Sequence, residues 1–212
     1  MTFYPDPTET VNLLIAAVNA NDYLELEERS ADLSWSMPED DFDKRIQEAF
    51  NSVIVFEILE EPIIKGNIAQ VKIKFTFPDF KSLIEDLMVD VEFWALYLKP
   101  ILLGAIEGKE YEELQLVSDQ ILSDEFIARI KNPSAKSVAE ETLMELEFDE
   151  ETESWLLSSW NYESMIDFSD IEEPEMPEDM LIQAGTRALE MLYADGEISK
   201  SEYNSLLKGL QE

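Results

Sequence analysis

The sequence predicts an α+β fold in which helices cover one face of a curved antiparallel sheet. Three observations point there. Segments of helical period and of strand period are segregated along the chain rather than alternating, which disfavours a parallel sheet with crossover helices. Ile68–Phe77 alternates without a break, setting Ala69, Val71, Ile73, Phe75 and Phe77 against Gln70, Lys72, Lys74 and Thr76, the pattern of a strand with one wet face. Of the 212 residues, 45% are apolar and 10% aromatic, enough to fill a sizeable core.

Taken in order, Thr8 or Thr10 caps a first helix with Val11, Leu14, Ile15 and Val18 at helical spacing. Asn19–Asp22 breaks it, and Tyr23, Leu24, Leu26 and Leu33 continue into a second helix. After Ser36–Glu39, Ile46, Ala49 and Phe50 mark one face of a short third helix. Val53–Leu59 is rich in β-formers, Lys65-Gly66-Asn67 reads as a turn, and Ile68–Phe77 completes the hairpin. Phe77-Pro78-Asp79 ends the strand and opens a long helical insertion over 79–132. Leu83, Leu87, Val91 and Leu98 form its first inward stripe. Beyond Glu107-Gly108, a further helix turns Leu114, Val117, Ile121 and Phe126 inward, and Asn132-Pro133-Ser134 stops it.

A second hairpin follows: Val138–Phe148, an acidic turn Asp149–Glu153, and Trp155–Tyr162. Ser169–Glu178 holds two prolines and five acids and reads as a linker. Pro177–Leu192 and Ser199–Leu210 then form two short helices around Ala194-Asp195-Gly196. The expected organisation is an α+β domain over 1–168, an acidic linker over 169–178 and a helical hairpin over 179–212.

The most apolar stretch, Val91–Ile106, is shorter than the roughly 20 residues a membrane span requires. It carries Glu92, Lys99 and Pro100, so it reads as a core helix kinked at the proline. Residues 1–7 show neither a basic nor an apolar leader pattern, so the expectation is a cytoplasmic or already processed chain.

Composition removes whole classes of chemistry. The chain has no Cys and no His, which excludes disulfides, thiol or imidazole catalysis, and thiolate or imidazole metal ligation. With 48 Asp+Glu against 15 Lys+Arg the formal charge is −33, which argues against direct binding of nucleic acid or an anionic membrane face. The charge is uneven. From Ser137 to Thr186 fifty residues include sixteen acids and no base. A solvated acidic face is the plain reading. The sharper ones are a surface for a basic partner, centred on Glu145, Glu147, Asp149, Glu150, Glu151, Glu153, Glu172 and Glu173, or weak hard-cation binding by Glu150, Glu151 and Glu153.

No spacing singles out a catalytic acid and base. Glu57 and Glu92 interrupt apolar runs and would be candidate bases only if they faced a pocket. Asp195-Gly196-Glu197-Ile198 with Glu202 imitates half of a calcium loop, but Met191 and Tyr193 stand where its first ligands belong. A glycine C-cap followed by an N-capping Ser199 with Glu202 explains the same residues.

The opening helix and its turn (VNLLIAAVNAND, 11–22) come first, then Val53–Phe77 and the Phe77-Pro78-Asp79 exit into a long helix. The terminal hairpin (ETLMELEFDEETESWLL, 141–157) closes the order. Together they resemble the cone-shaped fold of nuclear transport factor 2 and ketosteroid isomerase. More narrowly, they resemble Gram-positive lipoproteins of uncharacterised function that carry this fold with a helical insertion. The likeness covers roughly residues 8–165. It implies a cone whose mouth, framed by Phe75, Phe77, Trp94, Trp155 and Leu157, would take an apolar ligand or peptide. It also implies the cell envelope, had an upstream signal and lipid-modified Cys been removed, and the cytoplasm otherwise. Enzymes of that superfamily place acid/base residues in the mouth, and no residue here is assigned that role. The tail (LYADGEISKSEYNSLL, 192–207) resembles a short C-terminal oligomerisation domain. That likeness implies pairing with its own copy or a partner helix through Leu189, Leu192, Tyr193, Leu206 and Leu207.

The expected function is thus a non-enzymatic binding module of the bacterial cell envelope, without cofactor or metal. Its alternative is a cytoplasmic acidic inhibitor that imitates nucleic acid in a basic groove, and the third reading is an isomerase- or hydrolase-like enzyme using a carboxylate.

Overall fold

The computed structural model describes residues 4–31, 35, 41–109, 111–160 and 177–210. Among them, helices α1 (Pro7–Ala20), α2 (Tyr23–Glu28) and α3 (Asp41–Asn51) precede strands β1 (Val55–Ile58), β2 (Ile63–Lys65) and β3 (Ile68–Pro78). Then come α4 (Phe80–Met88), α5 (Val91–Glu107) and α6 (Tyr111–Ile130), followed by β4 (Ser137–Asp149), β5 (Ser154–Trp160), α7 (Glu178–Ala194) and α8 (Lys200–Gly209). The fold is mixed helix and antiparallel sheet. By contact the chain divides into two compact units, the first holding α1–α3 with all five strands and the second holding α4–α8. The insertion groups by contact with the C-terminal pair, through apolar stripes far apart in the chain.

In the first unit the sheet order is β1-β3-β4-β5, with β2 also on β3, and every pairing is antiparallel. The long alternating strand is its axis. Ala69, Val71, Ile73, Phe75 and Phe77 are all buried, while Ile68, Gln70, Lys72, Lys74 and Thr76 between them are only half-buried. Gly66 takes φ 65° in the two-residue connection between Lys65 and Ile68, a left-handed value that glycine adopts without a Cβ clash.

The first strand of this hairpin is shorter than Val53–Leu59 and is followed by β2, which the sequence did not reveal. Ile58 pairs with Ile73 and Ile63 with Gln70, so four residues stand opposite two. Leu59 N–H still donates to the Lys72 carbonyl at 2.9 Å, so the excess falls on Glu60-Glu61-Pro62. At the other edge, Leu157 N–H donates to the Arg29 carbonyl and Ala31 N–H to the Leu157 carbonyl, both at 2.8 Å. The segment after α2 thus lies along β5.

Helices cover the apolar face. Val11, Leu14, Ala17 and Val18 of α1 are buried with Leu26 of α2 and Ile46, Ala49 and Phe50 of α3. The N-cap of α1 is Asp6, whose carboxylate accepts from Thr8 N–H at 2.9 Å, rather than either threonine. Asn21 ends α1 in the left-handed region at φ 56°. Its side-chain oxygen accepts from Asn51 Nδ2 at 2.8 Å, which ties the α1–α2 corner to the end of α3.

The second unit is helical. Asp90 caps α5 by accepting from Phe93 N–H at 3.1 Å and also holds the Arg129 guanidinium of α6. Pro100 cannot donate to the Leu96 carbonyl. At the neighbouring carbonyl, Tyr97, buried Ser118 of α6 donates its hydroxyl at 3.0 Å. Gly108 ends α5 at φ 71°, and Lys109 N–H closes onto the Gly104 carbonyl at 2.8 Å. At Gly104 the Leu114 side chain of α6 comes close, since a Cβ there would sit 2.2 Å from Leu114 Cδ2.

Leu114 faces inward as expected, but Val117 is 51% exposed. Ser118 occupies the inward step four residues beyond Leu114, and Val117 is turned off that line. The C-terminal pair carries a small core of Leu189, Leu192 and Ile198, closed by Leu102, Leu103 and Ile106 of α5 and by Tyr203, Leu206, Leu207 and Leu210. Fully buried Ala95, Ala184 and Ala188 let α5 and α7 lie close.

Candidate functional site

Four of the five residues expected to frame an apolar mouth are buried within the sheet unit. Phe75 is 1% exposed, Phe77 8%, Trp155 2% and Leu157 0%, so all four are interior packing of the sheet unit. Phe75 and Phe77 stack with ring centroids 5.3 Å apart. Trp155 packs against Tyr4 and Phe148, and its indole N–H donates to the Pro5 carbonyl at 2.8 Å. Trp94, the fifth, belongs to the helical unit, where its indole N–H donates to the Leu87 carbonyl at 3.0 Å. Alternation identifies the inner face but not whether that face stays open.

Trp35 and Trp160, which the sequence offers with Trp94 and Trp155 as cavity lining or as core and rim packing, meet each other, and Trp160 also meets Phe56. Phe56 packs on Phe75 and on Trp160, at 6.4 and 5.9 Å, and Trp160 meets Trp35 at 6.1 Å. Phe56 pairs directly with Phe75, so its phase along the strand already placed it on the inner face. Trp35 donates its indole N–H to the Ser30 hydroxyl at 2.8 Å.

The wet face of the sheet carries the charge. Lys74 faces Glu57 at 3.9 Å, and Lys72 meets Glu141 at 2.7 Å and Glu60 at 3.9 Å. Ion pairing with Glu141 raises the Lys72 ammonium above its ordinary value. Glu145 and Glu147 lie on the same face and accept from the side-chain amides of Gln70 and Asn67, each at 3.1 Å. Asp149 closes the hairpin. Its carboxylate accepts from the Thr152 hydroxyl at 2.7 Å and from Glu151 N–H at 3.0 Å, and these bonds hold it below the ordinary carboxylate range. Glu150, Glu151 and Glu153 are exposed, and Glu153 takes φ 52° to complete the turn. Glu172 and Glu173 lie outside the described residues. Beside the turn, Ala31, Glu147, Phe148, Asp149, Glu150 and Leu156 line a shallow hollow of about 260 Å³.

Glu57 and Glu92 both stand on wet surfaces, their side chains 65% and 62% exposed, and Glu92 holds Arg187 at 2.9 Å. Among the described residues the buried polar side chains are Thr10, Asn51, Ser118 and Ser123, none of them ionisable. No three carboxylates among those residues converge on a point suited to a cation.

The half calcium loop of the tail is built around an internal ammonium. Lys99 Nζ reaches Asp195 at 2.6 Å and Glu197 at 3.4 Å, and bonding to Asp195 raises its pKa despite partial desolvation. Glu202 is engaged in a capping box with Ser199. Of the tail residues expected to meet a partner, Leu189 and Leu192 are buried against α5 and α8 of their own chain. Leu206 and Leu207 are half-buried in the same cluster. Tyr193 alone of the five is largely exposed, at 45%, with its ring 5.5 Å from that of Tyr203. Among the described residues no helix is long and apolar enough to cross a membrane.

No family model, curated protein or solved structure matches the chain.

Proposed function

We propose that the chain is a non-enzymatic interaction module of the bacterial cell envelope, built on a cone-type sheet and engaging its partner through its surface. The observation that carries this reading is the distribution of ionisable groups. The buried polar residues described are uncharged, and none of the described carboxylates of the sheet unit is buried. Support for a curled sheet comes from two features. Phe56 on the first strand and Trp160 on the last have ring centroids 5.9 Å apart, although three strand spacings amount to about 14 Å along a flat sheet. The register also shifts at Glu145/Leu146, where Ser158 is the extra residue of β5, and bulges bend strands. The envelope placement rests on the sequence resemblance.

The test is capture of partners from envelope and cytosolic extracts of a Gram-positive cell, washed at low and at high salt. An envelope protein retained on the bait supports the reading. Recovery from cytosol alone overturns the placement, and turnover of a small substrate by the purified chain overturns the non-enzymatic part.

One observation favours the acidic-inhibitor alternative. Glu145, Glu147 and Asp149 follow one another on one face of β4 at about 7 Å intervals, a regular line of negative charge. Lys72 and Lys74 stand on that same face and interrupt it further along. Competition between the chain and duplex DNA for a basic nucleic-acid-binding protein would reveal such mimicry, and absence of competition at low salt would remove it.

A further inference from the structure

No further inference is drawn: the strongest candidate, the shallow hollow beside the β4–β5 turn lined by Ala31, Glu147, Phe148, Asp149, Glu150 and Leu156, is a cluster of carboxylates beside apolar side chains, and nothing in the structure shows what would occupy it.

Discussion

The sheet unit and the helical unit use the chain's scarce cations differently. In the sheet unit, Lys72 and Lys74 pair with carboxylates across neighbouring strands on an exposed face. The backbone ladder already fixes those strands, and such pairs add little. The helical unit has no ladder. There Arg129 joins α6 to Asp90 at the head of α5, Arg187 joins α7 to Glu92 of α5, and Lys99 joins α5 to the α7–α8 turn. With only 15 basic residues against 48 acids, three cations spent between helices mark where packing needs orientation as well as burial. Backbone pairing orients one unit, and side chains orient the other.

Core truncation should separate the two units most sharply. Trp155→Ala removes a fully enclosed indole and its bond to Pro5, and should cost about 3–5 kcal/mol. Leu192→Ala should cost about 2–5 kcal/mol. Amide exchange read element by element should show the first substitution loosening β3–β5 and sparing α7–α8, and the second the reverse. Equal loss everywhere in both variants would erase the division into units.

Gly104→Ala is next in size. The added methyl meets Leu114, so about 1–3 kcal/mol of overpacking should appear as a lowered melting temperature, with exchange accelerated in α5 and α6 only. An unchanged melting temperature would mean that α6 moves aside freely.

The ion pairs give smaller, pH-shaped effects. Burial alone would raise Asp90, but the Phe93 N–H and the Arg129 guanidinium outweigh it and hold the carboxyl below its ordinary value of 3.8. The stability it contributes is therefore present above about pH 4 and is lost as pH falls through that range. Arg129→Met should weaken this acid dependence in the helical unit and leave the sheet unit's unchanged. Lys99 has the opposite sign. Its raised pKa contributes stability below 10.5 that is lost as pH climbs beyond it, so Lys99→Met should flatten the alkaline limb of a melting curve against pH.

The smallest effects test the claim that sheet pairs matter least. Lys72→Gln should leave the melting temperature unchanged. Ser199→Ala, which removes a helix cap, should cost about 1 kcal/mol. A larger loss from Lys72→Gln than from Ser199→Ala would reverse the contrast.

What could be read from the sequence follows the same line. The ten-residue alternation of β3, the acidic turn before Trp155, and the Ser199–Glu202 cap are local patterns, and each reappears in the structure. β2 escaped notice because Ile63-Ile64-Lys65 is exposed throughout and has no alternation to betray it. The pairing of α5 with α7 escaped for a different reason. Both stripes are visible, but nothing local says which stripe each one meets. The candidate site is limited in the same way, since aromatic residues at inner-face positions look the same in sequence whether they line a mouth or fill a core. Trp94 shows the limit most plainly, because its indole is held by the Leu87 carbonyl of α4, a partner no local pattern names.

The surplus at Glu60-Glu61-Pro62 has a consequence for how the molecule behaves in a crowd. An uninterrupted arm from Val55 to Lys65 would present a long row of outward amides, a template on which another chain could grow as a fibre. Val55, Ile63 and Ile64 are all exposed along that arm and would feed such growth. A proline without an amide proton and two repelling carboxylates cut the template into pieces of four and three residues, too short to seed it. The irregularity that hid β2 from the sequence thereby interrupts the β1–β2 arm as a template for strand addition.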